Sequence, residues 1–356
     1  MDILRLPPPL RRALLASPRA IPHLAHRTIA TTPQSSPSEP LFQPHNSLPS
    51  SPTRPPGPLL TPSTLNSYQT TTPPTPTHLN YAHHFFTTTP PHILYSAATF
   101  RTLPPSPHPE IAFLGRSNVG KSSLLNTLFN RPNSPVAHVS KRPGRTRTMN
   151  GWGVSGGLQM GAAPREGERE AAWKRFPRGG CVVVDMPGYG GGSREEWGKE
   201  ALKFLERRRQ LRRTFVLVDA EHGLKGSDLK LLGHLRREGL SFQVVLSKVD
   251  KVVYPKGAKG MSPGRVEAGL GRLREVCGDV RERINQEAGD GRSHLMDILC
   301  ASSEKGLDKA NRHSRLGVDE VRWAVLSACG LECDDQGQRR SMSLLDDINV
   351  LEEDET

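Results

Sequence analysis

Long apolar runs are the first thing this chain lacks. No stretch approaches the ~20 residues needed to cross a bilayer, so the expectation is a soluble or peripheral protein. Cysteine is scarce: Cys181, Cys277, Cys300, Cys329 and Cys333 are an odd number without metal-ligand spacing. That argues against a disulfide framework or a zinc site and for reduced thiols in an intracellular compartment. Apolar residues make up only 35% of the chain, while Pro (32) and Gly (33) are abundant, so part of it is expected to stay unfolded. Acidic residues are nearly missing at the start, where the first 109 positions hold only Asp2 and Glu39. With 356 residues and a formal charge of +12, the chain allows one to three domains and calls for a polyanionic partner or a basic targeting segment.

Within residues 1–32, Arg5, Arg11, Arg12, Arg19 and Arg27 are interleaved with Leu, Ile, Ala and Ser. An Arg-rich, Ser-containing, acid-poor start reads as an organellar transit peptide, and a basic tail is the alternative. The extreme N-terminal position and the amphipathic turn from Leu10 to Leu15 favour targeting. Abundant Arg favours the mitochondrial matrix over a plastid. Residues 33–84 are rich in Pro, Ser and Thr and predict a disordered linker, because they offer too little apolar surface to offset chain entropy. Order is expected from Phe85 to residue 330, and 331–356 reads as an acidic tail.

The ordered part is organised around residues 109–129, PEIAFLGRSNVGKSSLLNTLF. Ile111 to Leu114 reads as a buried strand, and Leu124, Leu125 and Leu128 recur at helical spacing. Between them Gly115, Arg116, Ser117, Asn118, Val119, Gly120, Lys121 and Ser122 fit the phosphate-loop pattern G-x-x-x-x-G-K-[ST]. The glycines let backbone N–H groups turn inward toward phosphate oxygens, and the following helix adds its positive end. Lys121 brings a charge to the β/γ-phosphates, and the Ser122 hydroxyl can ligate Mg²⁺.

Further apolar runs at 181–184, 215–218, 242–246 and 295–300 read as strands, and Met149 to Val154 is expected to be another. Helices are expected at 195–210, at 264–287, from a Ser227 cap to Arg237, and through Val318, Val321, Val325 and Cys329. Alternating strands and helices predict an α/β fold with a mostly parallel sheet covered on both faces. Ligand then binds beyond the carboxyl ends of the strands. Asp185-Met186-Pro187-Gly188 follows one strand; its carboxylate suits Mg²⁺ and its Gly188 N–H suits a γ-phosphate. Ser247-Lys248-Val249-Asp250 follows another. The Asp250 carboxylate can accept from guanine N1–H and N2–H₂, a donor pair that adenine lacks, while the Lys248 stem lies over the ring. Ala301-Ser302-Ser303 can present N–H groups to the guanine carbonyl. Thr146 falls where a mobile switch threonine should reach Mg²⁺. These elements predict a guanine-nucleotide site.

SAATF, GRSNVGKSSLLN, SKRPGRTRTMN, VVVDMPGYG, EEWGKE, VLVDAEHGLKGSDLKLL and VVLSKVDK together resemble the EngB (YihA/YsxC) family of ribosome-biogenesis GTP-binding proteins, from about Ser96 to Cys329. The resemblance implies a Ras-like domain with a six-stranded mixed sheet, Mg²⁺-dependent GTP binding and hydrolysis, and action on a large-subunit ribosomal precursor. It places phosphate on Gly115 to Ser122 and on Gly144, Arg145 and Thr146. Mg²⁺ falls on Ser122, Thr146 and Asp185, and guanine on Ser247 to Asp250 with Ala301 to Ser303. Lys121, Thr146 and Gly188 carry the catalytic roles. Three departures stand out: the N-terminal arm, an insertion at 155–179 and another at 307–316.

Tyr189 occupies the position where Ras-type proteins use glutamine to orient water, so intrinsic hydrolysis should be slow without a partner or a cation. Asn118 stands where related GTPases coordinate K⁺; its alternative role is to cap the loop. Lys141, Arg142, Arg145 and Arg147 charge the first switch and could meet rRNA phosphates. Other readings are a scaffold that holds GTP with little turnover, or an organellar G protein acting on tRNA or membranes.

Overall fold

A computed structural model describes residues 60–131, 148–162, 171–189, 195–254, 263–286, 294–304 and 315–340. Its helices are α1 (Pro62–Leu65), α2 (Pro76–Thr87), α3 (Lys121–Leu128), α4 (Ala172–Arg175), α5 (Glu195–Arg207), α6 (Gly226–Arg237), α7 (Asp250–Val253), α8 (Pro263–Gln286) and α9 (Val318–Cys329). Its strands are β1 (His92–Ala97), β2 (Glu110–Gly115), β3 (Met149–Val154), β4 (Cys181–Asp185), β5 (Leu211–Asp219), β6 (Phe242–Ser247) and β7 (His294–Ala301). No helix among the described residues is long and apolar enough to cross a membrane.

The strands form one sheet in the order β1-β3-β4-β2-β5-β6-β7. From β4 to β7 every pairing is parallel, whereas β3 runs antiparallel to both β1 and β4. Period-two alternation divides the core between the two faces. Ala112, Leu114, Val182, Val184, Val216, Val218, Val244 and Leu246 point to one face, against Phe204, Leu232, Leu235, Leu270 and Leu273 of α5, α6 and α8. Ile111, Phe113, Val183, Phe215, Leu217, Val245 and Leu299 point to the other, against Leu124, Leu125, Val321 and Val325 of α3 and α9. Strands buried on both faces need no polar side, which is why they read as continuous apolar runs.

Three expectations are corrected. Among the described residues the sheet has seven strands where six were expected. The extra one, β1, is added at the edge, where it buries Leu94, Tyr95 and Ala97 while pairing with β3. Next, the part of the linker from 60 to 84 is ordered. Thr75 caps α2, with Oγ1 accepting from His78 N at 3.3 Å. The helix then buries Ala82, Phe85 and Phe86, and His78 stacks on Trp323 of α9 with centroids 4.3 Å apart. Finally, α6 takes its cap from Asp228 rather than Ser227: the Lys225 N–H donates to Asp228 Oδ2 at 2.8 Å.

Of the insertion at 155–179, the described part is anchored by one aromatic side chain. Phe176 is buried and meets His108 edge-on at 4.8 Å. The described part of the tail folds as a short hairpin, with Asp334 Oδ1 accepting from the N–H groups of Gln336 and Gln338. Arg322, itself buried, donates to the carbonyls of Thr127 and Leu128 at the end of α3.

Candidate functional site

Because β2, β4, β5, β6 and β7 are parallel, their carboxyl ends fall on one edge of the sheet. Gly115, Asp185, Asp219, Ser247 and Ala301 terminate them there. The phosphate loop leaves β2 and turns back through two left-handed residues, Asn118 at φ +67° and Gly120 at φ +97°. A side chain at Gly120 would be strained by that backbone and would also meet the Lys248 stem at 3.6 Å. Lys121 opens α3, with Ser122 beside it in the first turn.

Lys121 Nζ donates to Asp185 Oδ1, and the two side chains are only 7% and 4% exposed. A buried ion pair contributes little net stability. This one holds a cation and a carboxylate at the same point, beside the N–H groups of the loop. Gly188 then passes close to the loop, where an added Cβ would stand 3.3 Å from Ser117 Oγ and 3.5 Å from the Gly115 carbonyl. The Ser117 N–H donates to the Tyr189 carbonyl and the Tyr189 N–H to the Gly115 carbonyl, both at 3.3 Å. Asp185 to Tyr189 is therefore tied to the phosphate loop by its backbone.

The guanine elements are joined to the same loop. Ser247 Oγ donates to the Val119 carbonyl at 2.6 Å, which braces the start of the base-reading stretch against the phosphate loop. Lys248 crosses the loop and donates through Nζ to the Asn118 carbonyl and to Asp219 Oδ2, each at 2.7 Å. Burial alone would push the Asp219 carboxyl up, but Lys248 and the Glu221 N–H outweigh it and the net shift is downward. Ser302 Oγ donates to Asp250 Oδ1 at 2.7 Å, and the Val249 N–H donates to the Ala301 carbonyl at 3.3 Å.

The structure thus brings together Gly115 to Ser122, Asp185 to Gly188, Ser247 to Asp250 and Ala301 to Ser303. Val119, Met186 and Val249 send their side chains into the core, which leaves their backbone for any ligand. Gly144, Arg145 and Thr146 lie outside the described residues, as do Lys141, Arg142 and Arg147. The donor set fits a nucleotide triphosphate with magnesium. Loop amides and Lys121 suit phosphate, and the Ser122 hydroxyl and Asp185 carboxylate are the hard oxygen donors that Mg²⁺ takes.

Two carboxylates escaped sequence reasoning. Asp219 ends β5 and fixes Lys248. Asp228 is fully buried and gathers Arg116 Nε at 3.1 Å, the Tyr189 hydroxyl at 2.9 Å and the Lys225 N–H at 2.8 Å. Its only signal was membership of the run LKGSDLKLL. The Tyr189 hydroxyl is held well above its usual pKa by burial and by Asp228, so it stays a neutral donor.

Residues 110–248 match the family model of the 50S ribosome-binding GTPase. A probable GTP-binding protein EngB of Mesorhizobium japonicum is 40% identical over 229 residues, 63% of this chain and 87% of that relative. A Rhizobium etli protein of the same description is 33% identical over 64% of this chain and 86% of its own length. One from Caulobacter vibrioides is 32% identical over 63% of this chain and 77% of its own length. A crystal structure of a probable GTP-binding protein engB aligns over 62% of this chain and 98% of that chain at 19% identity. Its TM-score is 0.37, too distant a likeness to carry argument.

Proposed function

The chain belongs to the EngB family of GTP-binding proteins, and from that premise we propose that it is a GTPase switch acting in assembly of the large subunit of the mitochondrial ribosome. Membership makes it a GTP-binding GTPase. The ribosomal reading is supported by the family model, that of a 50S ribosome-binding GTPase. The mitochondrial reading is supported by the Arg-rich, acid-poor start. One observation carries the site assignment. Direct hydrogen bonds from Ser247, Lys248 and Ser302 join the proposed base-reading residues to one another and to the phosphate loop.

In this reading the amides from Gly115 to Ser122 bind phosphate and Lys121 offsets its charge. Ser122 and Asp185 would hold magnesium, with Thr146 as a third ligand. Bound magnesium neutralises charge developing on the β- and γ-oxygens. Asp250 accepts from the guanine edge, Lys248 covers the ring, and Ala301 to Ser303 face its carbonyl. The Gly188 N–H meets the γ-phosphate, which orders the segment it begins; hydrolysis releases that segment. Arg145 and its basic neighbours would link this order to rRNA phosphates.

Asp250→Asn tests the site. The variant should lose affinity for GTP and gain it for XTP, whose base offers an acceptor where guanine offers a donor. Unchanged preference for GTP would remove the assignment. The particle is tested by fractionating mitochondrial lysate on a gradient with a non-hydrolysable GTP analogue. The protein should travel with large-subunit precursors, and migration with small subunits or with no particle overturns the proposal.

A second reading, a scaffold with little turnover, is favoured by one observation. The Tyr189 side chain is committed to Asp228, so position 189 itself offers no amide to orient water. Phosphate release that stays at background with and without large-subunit particles would select it.

A further inference from the structure

Residues 60–71 cover the outer edge of β7, the strand that delivers Ala301 to Ser303. An edge strand presents alternate N–H groups to whatever lies beside it. The Met296 N–H donates to Thr70 Oγ1 at 2.9 Å, the Ile298 N–H to the Ser67 carbonyl at 2.9 Å and the Cys300 N–H to Asn66 Oδ1 at 2.7 Å. In return the Ser67 N–H donates to the Ile298 carbonyl at 3.0 Å. Asp297, 1% exposed, fastens the other end of the arm. Its Oδ1 accepts from the N–H groups of Gln69 and Thr70 at 2.6 Å, and its Oδ2 accepts from Thr71 Oγ1 at 2.7 Å. Arg281 of α8 donates to Ser67 Oγ.

The contact nearest the base-reading loop is the one from Asn66. Its amide is buried, 7% exposed, and it fixes the N–H of the residue just before Ala301. Two residues further on, Ser302 bonds Asp250. The chain of contacts is short and all of it is buried. Displacement of the Cys300 backbone moves the Ala301 carbonyl that holds the Val249 N–H and the serine that holds Asp250. Buried N–H groups are seldom left unpaired, so the Asn66 acceptor defines where this strand end sits.

We infer that Asn66 is a positioning residue for guanine recognition, and that residues 60–71 belong to the nucleotide site although they lie far upstream of every nucleotide motif. This rests on the assignment of Asp250 and Ala301 to Ser303 to the base. Asn66 acts through Cys300 and Ser302 on the geometry of Asp250 and touches no nucleotide itself. Its removal should therefore reduce discrimination between bases more than it reduces phosphate binding. A second consequence follows: processing of the N-terminus must leave Asn66 in the mature chain.

The experiment compares full-length wild type, Asn66→Ala, Asn66→Ser and Thr71→Val for binding of GDP and IDP, which lacks the 2-amino group that Asp250 reads. Thermal unfolding of each variant is recorded alongside. Asn66→Ala should narrow the GDP-over-IDP preference by about tenfold, equivalent to about 1.4 kcal/mol. Asn66→Ser, which keeps a shorter acceptor, should fall between it and wild type. Thr71→Val weakens the arm at its far end and should lower the unfolding temperature with the preference intact. If Asn66→Ala fails to fold, Asn66→Ser decides. An unchanged preference in a folded Asn66 variant overturns the inference, whatever its unfolding temperature. So does a mature N-terminus mapped beyond residue 66. Wild type that does not prefer GDP over IDP would instead overturn the site assignment itself, which separates the two failures.

Discussion

Replacing Asp228 by alanine takes the shared acceptor away from three donors at once. Asp228 is 0% exposed, and Arg116 Nε, the Tyr189 hydroxyl and the Lys225 N–H all converge on it. Breaking a buried charge pair by removing one partner costs about 3–5 kcal/mol. For a domain of roughly 150–250 residues, each kcal/mol moves the melting temperature by about 2–4 °C, so Asp228→Ala should lower it by roughly 6–20 °C. Tyr189→Phe removes a single hydroxyl-to-carboxylate bond and should cost about 1.5–3 kcal/mol. Because Tyr189 contacts Asp228 directly, the two losses should not add. Tyr189→Phe made on top of Asp228→Ala should cost almost nothing further. Urea unfolding of the two singles and the double closes this cycle, and nucleotide-bound samples keep it readable if the apo variant is unstable. Additive costs, or an Asp228→Ala variant that melts within a degree or two of wild type, would refute the reasoning that Asp228 is the joint between phosphate loop and switch.

Gly317→Ala should be severely destabilising, because Gly317 sits at φ +67° and a Cβ there would run into the Cys300 carbonyl; thermal unfolding checks it, and a stable variant would mean that this turn can rearrange. Burial raises the Glu320 pKa from its ordinary 4.5 to about 7, with Asp319 adding to it. The folded state therefore holds a proton that the unfolded chain has lost, and the stability Glu320 contributes is full below pH 4.5 and lost as pH rises through about 7. Glu320→Gln should accordingly be more stable than wild type at pH 8, by about 3 kcal/mol, with the difference vanishing near pH 4; denaturant melts at the two pH values decide it. GTP hydrolysis should run faster in K⁺ than in Na⁺ if Asn118 supports a monovalent cation; equal rates in the two salts would leave Asn118 with the loop alone.

Local chemistry made much of this protein legible. Five of the six expected strands belong to the parallel part of the sheet, which is covered on both faces, and that pattern is visible in Val182 to Val184 or Val244 to Leu246 without any coordinates. The phosphate loop was equally readable, since Gly120 and Lys121 are demanded by backbone geometry and charge within a few residues. The reading was less complete for side chains that fill the core. Met186 lies inside a site motif yet faces away from the site, because strand alternation carries into the loop that follows β4.

What the chain by itself determined is the set of short-range commitments: strands, helices, the phosphate loop and the residues able to read a guanine. The tertiary structure decided which distant groups complete them. Asp228 acquires its three donors from separate segments, Ser247 finds its brace on the phosphate loop, and β1 joins β3 across more than fifty residues. Residues 60–84 look unstructured by composition because they carry little apolar surface of their own. Residues 60–71 are ordered because the edge of β7 offers N–H groups in register and Asp297 accepts from the arm, and 76–84 because α2 packs on α9, with His78 stacked on Trp323. Backbone hydrogen bonds carry no residue signature, so such pairing is decided only when the edge already exists.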